Sequence, residues 1–151
     1  MALKVGDFVP HFSGIDSNGN AFDTQDYFGK KWLVVYFYPK DDTPGCTTQA
    51  CSFRDAYQDF TDLGAEVIGV SSDGVTSHVK FQSKFNLPFI LLADTKKTIR
   101  RLFGVPNDLL GFVEGRATYV IGLDQKVHYI FDSISGNGHM ERALAFLKKK
   151  V

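Results

Sequence analysis

Two side chains of this sequence can act as sulfur nucleophiles, Cys46 and Cys51, and both lie in the stretch YPKDDTPGCTTQAC from Tyr38 to Cys51. A thiolate attacks electrophiles and a thiol barely does; free cysteine has a pKa of about 8.5, lowered at a helix N-terminus or beside a cation. After Cys46 the apolar residues Ala50, Phe53, Tyr57 and Phe60 recur every three or four positions, the stripe of an amphipathic helix ending near Gly64. Pro44 and Gly45 form the turn that opens it. Cys46 thus lies at the mouth of a helix, where unpaired backbone N–H groups converge. Gly45 permits close backbone approach there, and Thr43 adds a hydroxyl within reach. Asp41 and Asp42 oppose ionisation of the thiol unless they point to solvent. A cation from elsewhere in the chain is therefore required, and Lys40, Arg54 and Arg116 are candidates.

The five-residue spacing carries its own information. Residues five apart in a helix differ by about 140° and about 7.5 Å of rise, placing their Cα atoms roughly 8–9 Å apart, whereas a disulfide needs roughly 4.4–6.8 Å. Cys46 and Cys51 cannot bond while the helix is intact. The spacing predicts a redox switch, helical when reduced and locally unfolded when oxidised. A purely structural disulfide is the plain alternative, but closing so short a loop stabilises by only about 2 kcal/mol. Metal binding draws no support from pattern, since His11, His78, His128 and His139 are scattered singly and no CxxC or HxxxH spacing occurs. A cysteine protease needs a histidine base with an orienting partner, and the sequence singles out none.

The elements that must position these groups read as an α/β fold. Asn18-Gly19, between segments bearing Phe12, Ile15 and Phe22, signals an N-terminal β-hairpin. WLVVYFYP, AEVIGVSS and FILLAD are apolar, β-branched runs suited to strands buried on both faces. Helical segments are expected over 46–64, 75–85 and 95–104. ATYVIG and KVHYIFDS form a strand pair around a turn at 123–126. The chain closes with HMERALAFLKKK, whose last-turn lysines complement the helix dipole. The expectation is one domain over residues 1–151, a central mixed sheet flanked by helices. Arg116 immediately precedes ATYVIG, so it reaches the sheet edge that carries Cys46 only if that strand runs antiparallel to WLVVYFY.

Composition narrows the class. Of 151 residues, 44% are hydrophobic and 23% charged, with 17 basic residues against 17 acidic, so no net field draws the chain to nucleic acid or an anionic membrane. Its longest apolar run, about Trp32 to Tyr38, is far short of the roughly 20 residues that span a bilayer. Two cysteines are too few for a secreted disulfide scaffold, and MALKVGDFVPHF lacks the pattern of a signal peptide. The expected location is cytoplasmic, or organellar if a transit peptide has been removed.

YPKDDTPGCTTQAC resembles the active-site stretch of the peroxiredoxins, and more narrowly their Q-type group, the bacterioferritin comigratory proteins. The pattern P-x-x-x-T-x-x-C is met by Pro39, Thr43 and Cys46, Cys51 follows in the place of the Q-type resolving cysteine, and EGRATYVI resembles the second site motif with Arg116 as its arginine. The resemblance runs from VGDFVPHF to the closing helix. It implies a thioredoxin-like fold with an added N-terminal β-hairpin, and reduction of hydrogen peroxide or alkyl hydroperoxides without metal, haem or flavin. Cys46 would be the peroxidatic cysteine, Thr43 and Arg116 would bind thiolate and substrate, Gly45 and Cys46 would offer backbone N–H groups, and Pro39 would shield the sulfur. Cys51 would form the intramolecular disulfide, reduced in turn by thioredoxin or glutaredoxin, in a monomer. Gln49 stands where relatives often carry glutamate, a change expected to weaken a polar link without removing it. Phe112, if exposed near the site, would favour bulky peroxides, the plain alternative being a simple packing residue. Two rivals are a thiol–disulfide relay acting on proteins, which would not consume peroxide, and a thioredoxin-fold binding module in which Cys46 has ordinary reactivity.

Overall fold

The computed structural model of the chain describes residues 2–108 and 113–151; Phe112 lies outside them. In chain order the elements are β1 (Ser13–Ile15), β2 (Ala21–Asp23), β3 (Trp32–Phe37), α1 (Pro44–Asp62), β4 (Ala65–Ser71), α2 (Val75–Phe85), β5 (Ile90–Ala93), α3 (Thr98–Phe103), β6 (Asn107–Asp108), β7 (Val113–Glu114), β8 (Ala117–Ile121), β9 (Val127–Asp132) and α4 (His139–Lys150). The N-terminal hairpin pairs Ser13 with Asp23 and Ile15 with Ala21. Its turn is held by the Asp16 carboxylate, which accepts from the N–H groups of Asn18 and Asn20 at 2.9 Å each, and by Gly19 at φ +78°.

The main sheet has five strands in the order β5-β4-β3-β8-β9. β3, β4 and β5 are parallel, because α1 and α2 provide the crossovers that parallel pairing demands. β8 pairs antiparallel with β3, and β9 antiparallel with β8. Every residue of β4 and β8 is buried, in keeping with strands covered on both faces. Alternate side chains of β3 separate two cores: Val34 and Tyr36 face Phe53, Phe60, Phe89 and Leu147, while Leu33, Val35 and Phe37 face Phe12, Phe22, Ile99 and Phe103. One core lies under α1 and α4, the other under α3 and the N-terminal hairpin. This is the mixed sheet flanked by helices, with an N-terminal β-hairpin, that the sequence leads one to expect.

Boundaries shift for local reasons. The helix expected over 95–104 begins only at Thr98, because Asp94 starts a turn: its carbonyl accepts from Lys97 N–H at 2.9 Å and its carboxylate caps the N–H groups of Ile99 and Arg100 at 3.0 and 2.9 Å. The short β6–β7 ribbon has no counterpart among the sequence-based expectations.

Candidate active site

β3 leads directly into the site. Past Phe37, the N–H of Tyr38 bonds to the Val70 carbonyl at 3.1 Å; Pro39 follows half-buried and Lys40 exposed. Asp42 takes φ +58°, a left-handed turn that aspartate tolerates. Thr43 then adopts extended backbone at the N-cap of α1, with Pro44 opening the helix where no N–H is missed. The helix is closed by Thr47 N–H bonding to Thr43 carbonyl at 2.8 Å, so the N–H groups of Gly45 and Cys46 have no partner within the helix. The Thr43 hydroxyl donates to the Lys40 carbonyl at 2.9 Å and makes no cap to the helix. Cys46 is 1% exposed, and Cys51 is half-buried one and a half turns further on; both are free thiols within the one helix.

Arg116 arrives from the opposite side. The antiparallel register pairs Phe37 with Ala117, so the residue before β8 lies at the end of β3 from which the chain departs toward Cys46. The orientation on which an Arg116–Cys46 encounter depended is the one found. Nη1 of Arg116 lies 3.4 Å from Cys46 Sγ and donates to Gln49 Oε1 at 2.6 Å, while Nε donates to the Ile134 carbonyl at 3.1 Å. The guanidinium is held at three points although Arg116 is only 6% exposed. A Cβ on Gly45 would meet Arg116 Nη2 at 3.1 Å, so glycine is what lets the guanidinium lie against the helix mouth. The link to Gln49 is present, at 2.6 Å to Oε1, while the buried Nε2 of the same amide has no partner among the described residues. Being neutral, Gln49 orients the guanidinium without cancelling its charge, which a glutamate in its place would do.

The segment from Ser133 to Gly138 closes over this corner. Ser133 N–H bonds to the Arg116 carbonyl at 3.1 Å, and Gly136 lies so near α1 that a Cβ there would overlap the Gly45 carbonyl oxygen. Behind it His139, fully buried, takes the Thr118 hydroxyl at Nδ1 (2.8 Å) and faces the Ser133 carbonyl with Nε2 (3.1 Å). Burial pushes its pKa down and the Arg116 charge lowers it further, keeping the ring neutral beside the guanidinium. Gly136→Ala is expected to destabilise the fold by about 1–3 kcal/mol through backbone overlap at the helix mouth. Urea unfolding measures that loss, and protection of the Gly45 to Thr47 amides from hydrogen exchange should fall with it. The Ser135-Gly136-Asn137-Gly138 run is a turn signal in the sequence, but nothing local in it marks a partner for Gly45.

The other candidates are placed elsewhere. Arg54 donates to Asp55 and to the Phe85 carbonyl. Asp42 is exposed and pairs with Lys84 at 2.9 Å. Asp41 does not point to solvent: it is 7% exposed, and its carboxylate receives Tyr38, Ser77 and His78. Its charge is managed by partners and not by exposure. Tyr36 lies beneath the site, stacked on Phe53 at 4.6 Å, and a Cβ on Gly69 would crowd its ring at 2.9 Å. Burial, and next the charge of Cys46, push its phenol well above the usual range, so it stays protonated. Among the described residues no cluster of three or more His, Cys, Asp or Glu could hold a metal ion, and no helix is long and apolar enough to cross a membrane.

A sulfur fixed at a helix N-terminus, against a guanidinium whose charge no described carboxylate contacts, suits attack by a thiolate on a bond whose oxygen leaves with negative charge. Residues 5–130 match the AhpC/TSA family. The chain is 47% identical over 131 residues to the chloroplastic peroxiredoxin Q of Oryza sativa subsp. japonica, an alignment covering 87% of this chain and 60% of the rice protein. It thus spans about three fifths of that relative's length. Among solved structures, a cysteine-to-serine variant of Xylella fastidiosa PrxQ superposes with a TM-score of 0.92 at 30% identity, over 99% of this chain and 98% of that one. The Xanthomonas campestris bacterioferritin comigratory protein, studied for alkyl peroxide reduction, superposes with a TM-score of 0.86 at 31% identity over 98% and 97% of the two chains.

Proposed function

Because this chain belongs to the AhpC/TSA family, within its peroxiredoxin Q group, we propose that it is a thiol peroxidase reducing hydrogen peroxide and organic hydroperoxides at Cys46. The observation that carries the reading is Arg116 Nη1 at 3.4 Å from Cys46 Sγ, in the opening turn of α1. The Cys46 thiolate attacks the terminal peroxide oxygen. The O–O bond breaks, the other oxygen takes up a proton and leaves as water or alcohol, and the sulfur, oxidised by two electrons, becomes a sulfenic acid. Arg116 steadies the thiolate and the developing negative oxygen by charge-assisted hydrogen bonds. The N–H groups of Gly45 and Cys46 add donors at the same place. Thr43, whose hydroxyl rests on the Lys40 carbonyl, turns that donor to the substrate, and Pro39 keeps bulk water from the sulfur.

Cys51 then attacks the sulfenic sulfur. An S–S bond forms and the hydroxyl departs as water. In the intact helix the two Cα atoms are roughly 8–9 Å apart, beyond disulfide range, so the opening turns of α1 unwind for this step. A dithiol such as thioredoxin or glutaredoxin reduces the bridge by exchange. The bridge lies within one chain, so a monomer suffices. The cytoplasm is the proposed compartment, or an organelle, in line with the chloroplastic naming of the rice relative.

Two measurements test the cycle together. Thioredoxin-coupled assays with hydrogen peroxide are expected to show sustained consumption, and absence of turnover with either thioredoxin or glutaredoxin would leave a protein-directed relay as the better reading. Hydrogen exchange over residues 47–53 is expected to be at least about tenfold faster in oxidised than in reduced protein, as local unfolding requires. Equal protection in the two states would sink the switch.

A further inference from the structure

Asp41 lies five residues before Cys46, in the loop that delivers the sulfur to its helix, yet its side chain is only 3% exposed and that of His78 is fully buried. Its carboxylate accepts from the Tyr38 hydroxyl at 2.6 Å, the Ser77 hydroxyl at 2.8 Å and His78 Nδ1 at 2.7 Å. Its backbone N–H donates to the Asp73 carboxylate at 2.7 Å, and Asp73 also takes the Ser71 hydroxyl at 2.8 Å. The second ring nitrogen of His78 donates to the Leu92 carbonyl at 2.9 Å. One loop residue is therefore fastened to the end of β4, the first turn of α2 and the middle of β5. The charged groups around it are Asp73, the exposed Asp42–Lys84 pair, and Arg100, whose Nη2 reaches the Tyr38 carbonyl at 3.4 Å.

A buried ionisable pair is a poor way to gain stability, since apolar side chains of similar volume often serve as well or better. What such a pair supplies is a defined geometry. We propose that Asp41 and His78 are positioning residues for Cys46: they clamp the upstream end of the segment that unwinds, and so return the sulfur to Arg116 after each opening. The proposal rests on the peroxidase cycle for its purpose and on the hydrogen-bond network for its existence. The downstream limit is Phe53, fully buried and stacked on Tyr36. Between these anchors lie residues 42–52, the segment that opens, and its buried Cys46, Gln49 and Ala50 leave the core when it does. If the upstream anchor is lost, opening spreads into the Tyr38–Asp41 stretch, and Cys46 spends less time against the guanidinium.

The test compares wild type with His78→Leu, Asp41→Asn and the double variant, all reduced. In His78→Leu, hydrogen exchange over residues 38–47 is expected to rise about tenfold or more, with the rest of α1 and β4 unchanged. The pH profile of Cys46 alkylation by iodoacetamide should move to higher pH, since a carboxylate left without its imidazole partner opposes ionisation nearby. Asp41→Asn in the His78→Leu background should move the profile at least halfway back, which a simple packing defect would not do. An unchanged profile, or exchange that rises evenly over the whole chain, overturns the proposal. Should His78→Leu fail to fold, Ser77→Ala removes one donor and leaves the pair in place; its exchange at 38–47 is expected to rise about twofold, and no rise there overturns the proposal equally. Neither readout uses peroxide, so a wild type that consumes none would refute the peroxidase reading and leave this result standing.

Discussion

Cys46→Ser is expected to lose peroxide consumption altogether, falling by at least about 10³-fold to the uncatalysed background. The serine hydroxyl has no neighbouring general base among the described residues to activate it and stays protonated near neutral pH, and its oxygen cannot take up a second oxygen as sulfur does. Neither Arg116 nor the helix mouth compensates, because both act on a charge that no longer forms. Cys51→Ser is the informative companion. Its Cys46 keeps the same surroundings, so stopped-flow titration should show one equivalent of peroxide consumed per chain at close to the wild-type rate. Coupled turnover with thioredoxin should then stop, because no intramolecular disulfide can form. Steady cycling by the Cys51 variant would remove Cys51 from the resolving role, and residual cycling by Cys46→Ser would remove Cys46 from the first step.

What could be read from sequence and what could not divides along contact range. The helix mouth at Cys46 was legible because its signals are adjacent: Pro44, Gly45, and the stripe Ala50, Phe53, Tyr57 and Phe60, of which all but Tyr57 are buried in the fold. The separation of Cys46 and Cys51 followed from helix geometry alone, and α1 does run unbroken through both. Arg116 was legible as a conditional, since its reach depended on the direction of one strand, and β8 runs the required way. Asp41 shows the limit. From sequence it is a negative charge beside the nucleophile, to be met by exposure or by a cation such as Lys40, Arg54 or Arg116. The actual remedy, His78, is 37 residues away and carries no local signal, because its place is set by how α2 packs over β5. The contact of Gly136 with Gly45 is hidden for the same reason, at a still greater separation.

Arg116→Ala is expected to give the second largest loss. A hydrogen bond to a charged group contributes about 1.5–3 kcal/mol, so removing the guanidinium should slow the reaction of Cys46 with peroxide roughly 10- to 150-fold. Two causes contribute, and pH separates them. The first is a smaller ionised fraction of Cys46, which moves the alkylation profile to higher pH and vanishes once pH is high enough to ionise the thiol in both proteins. The second is loss of the donor that steadies the peroxide oxygen as the O–O bond breaks, and this persists at every pH. Peroxide rates should therefore stay depressed at a pH where iodoacetamide alkylation has recovered. Arg116→Lys should recover the first effect in part and little of the second, because a lone ammonium cannot serve Cys46, Gln49 and the Ile134 carbonyl from one plane. Identical alkylation profiles for wild type and Arg116→Ala would show that the sulfur is ionised by the helix alone, and only if peroxide rates were also equal at every pH would the 3.4 Å contact be a neighbour of the chemistry and no part of it.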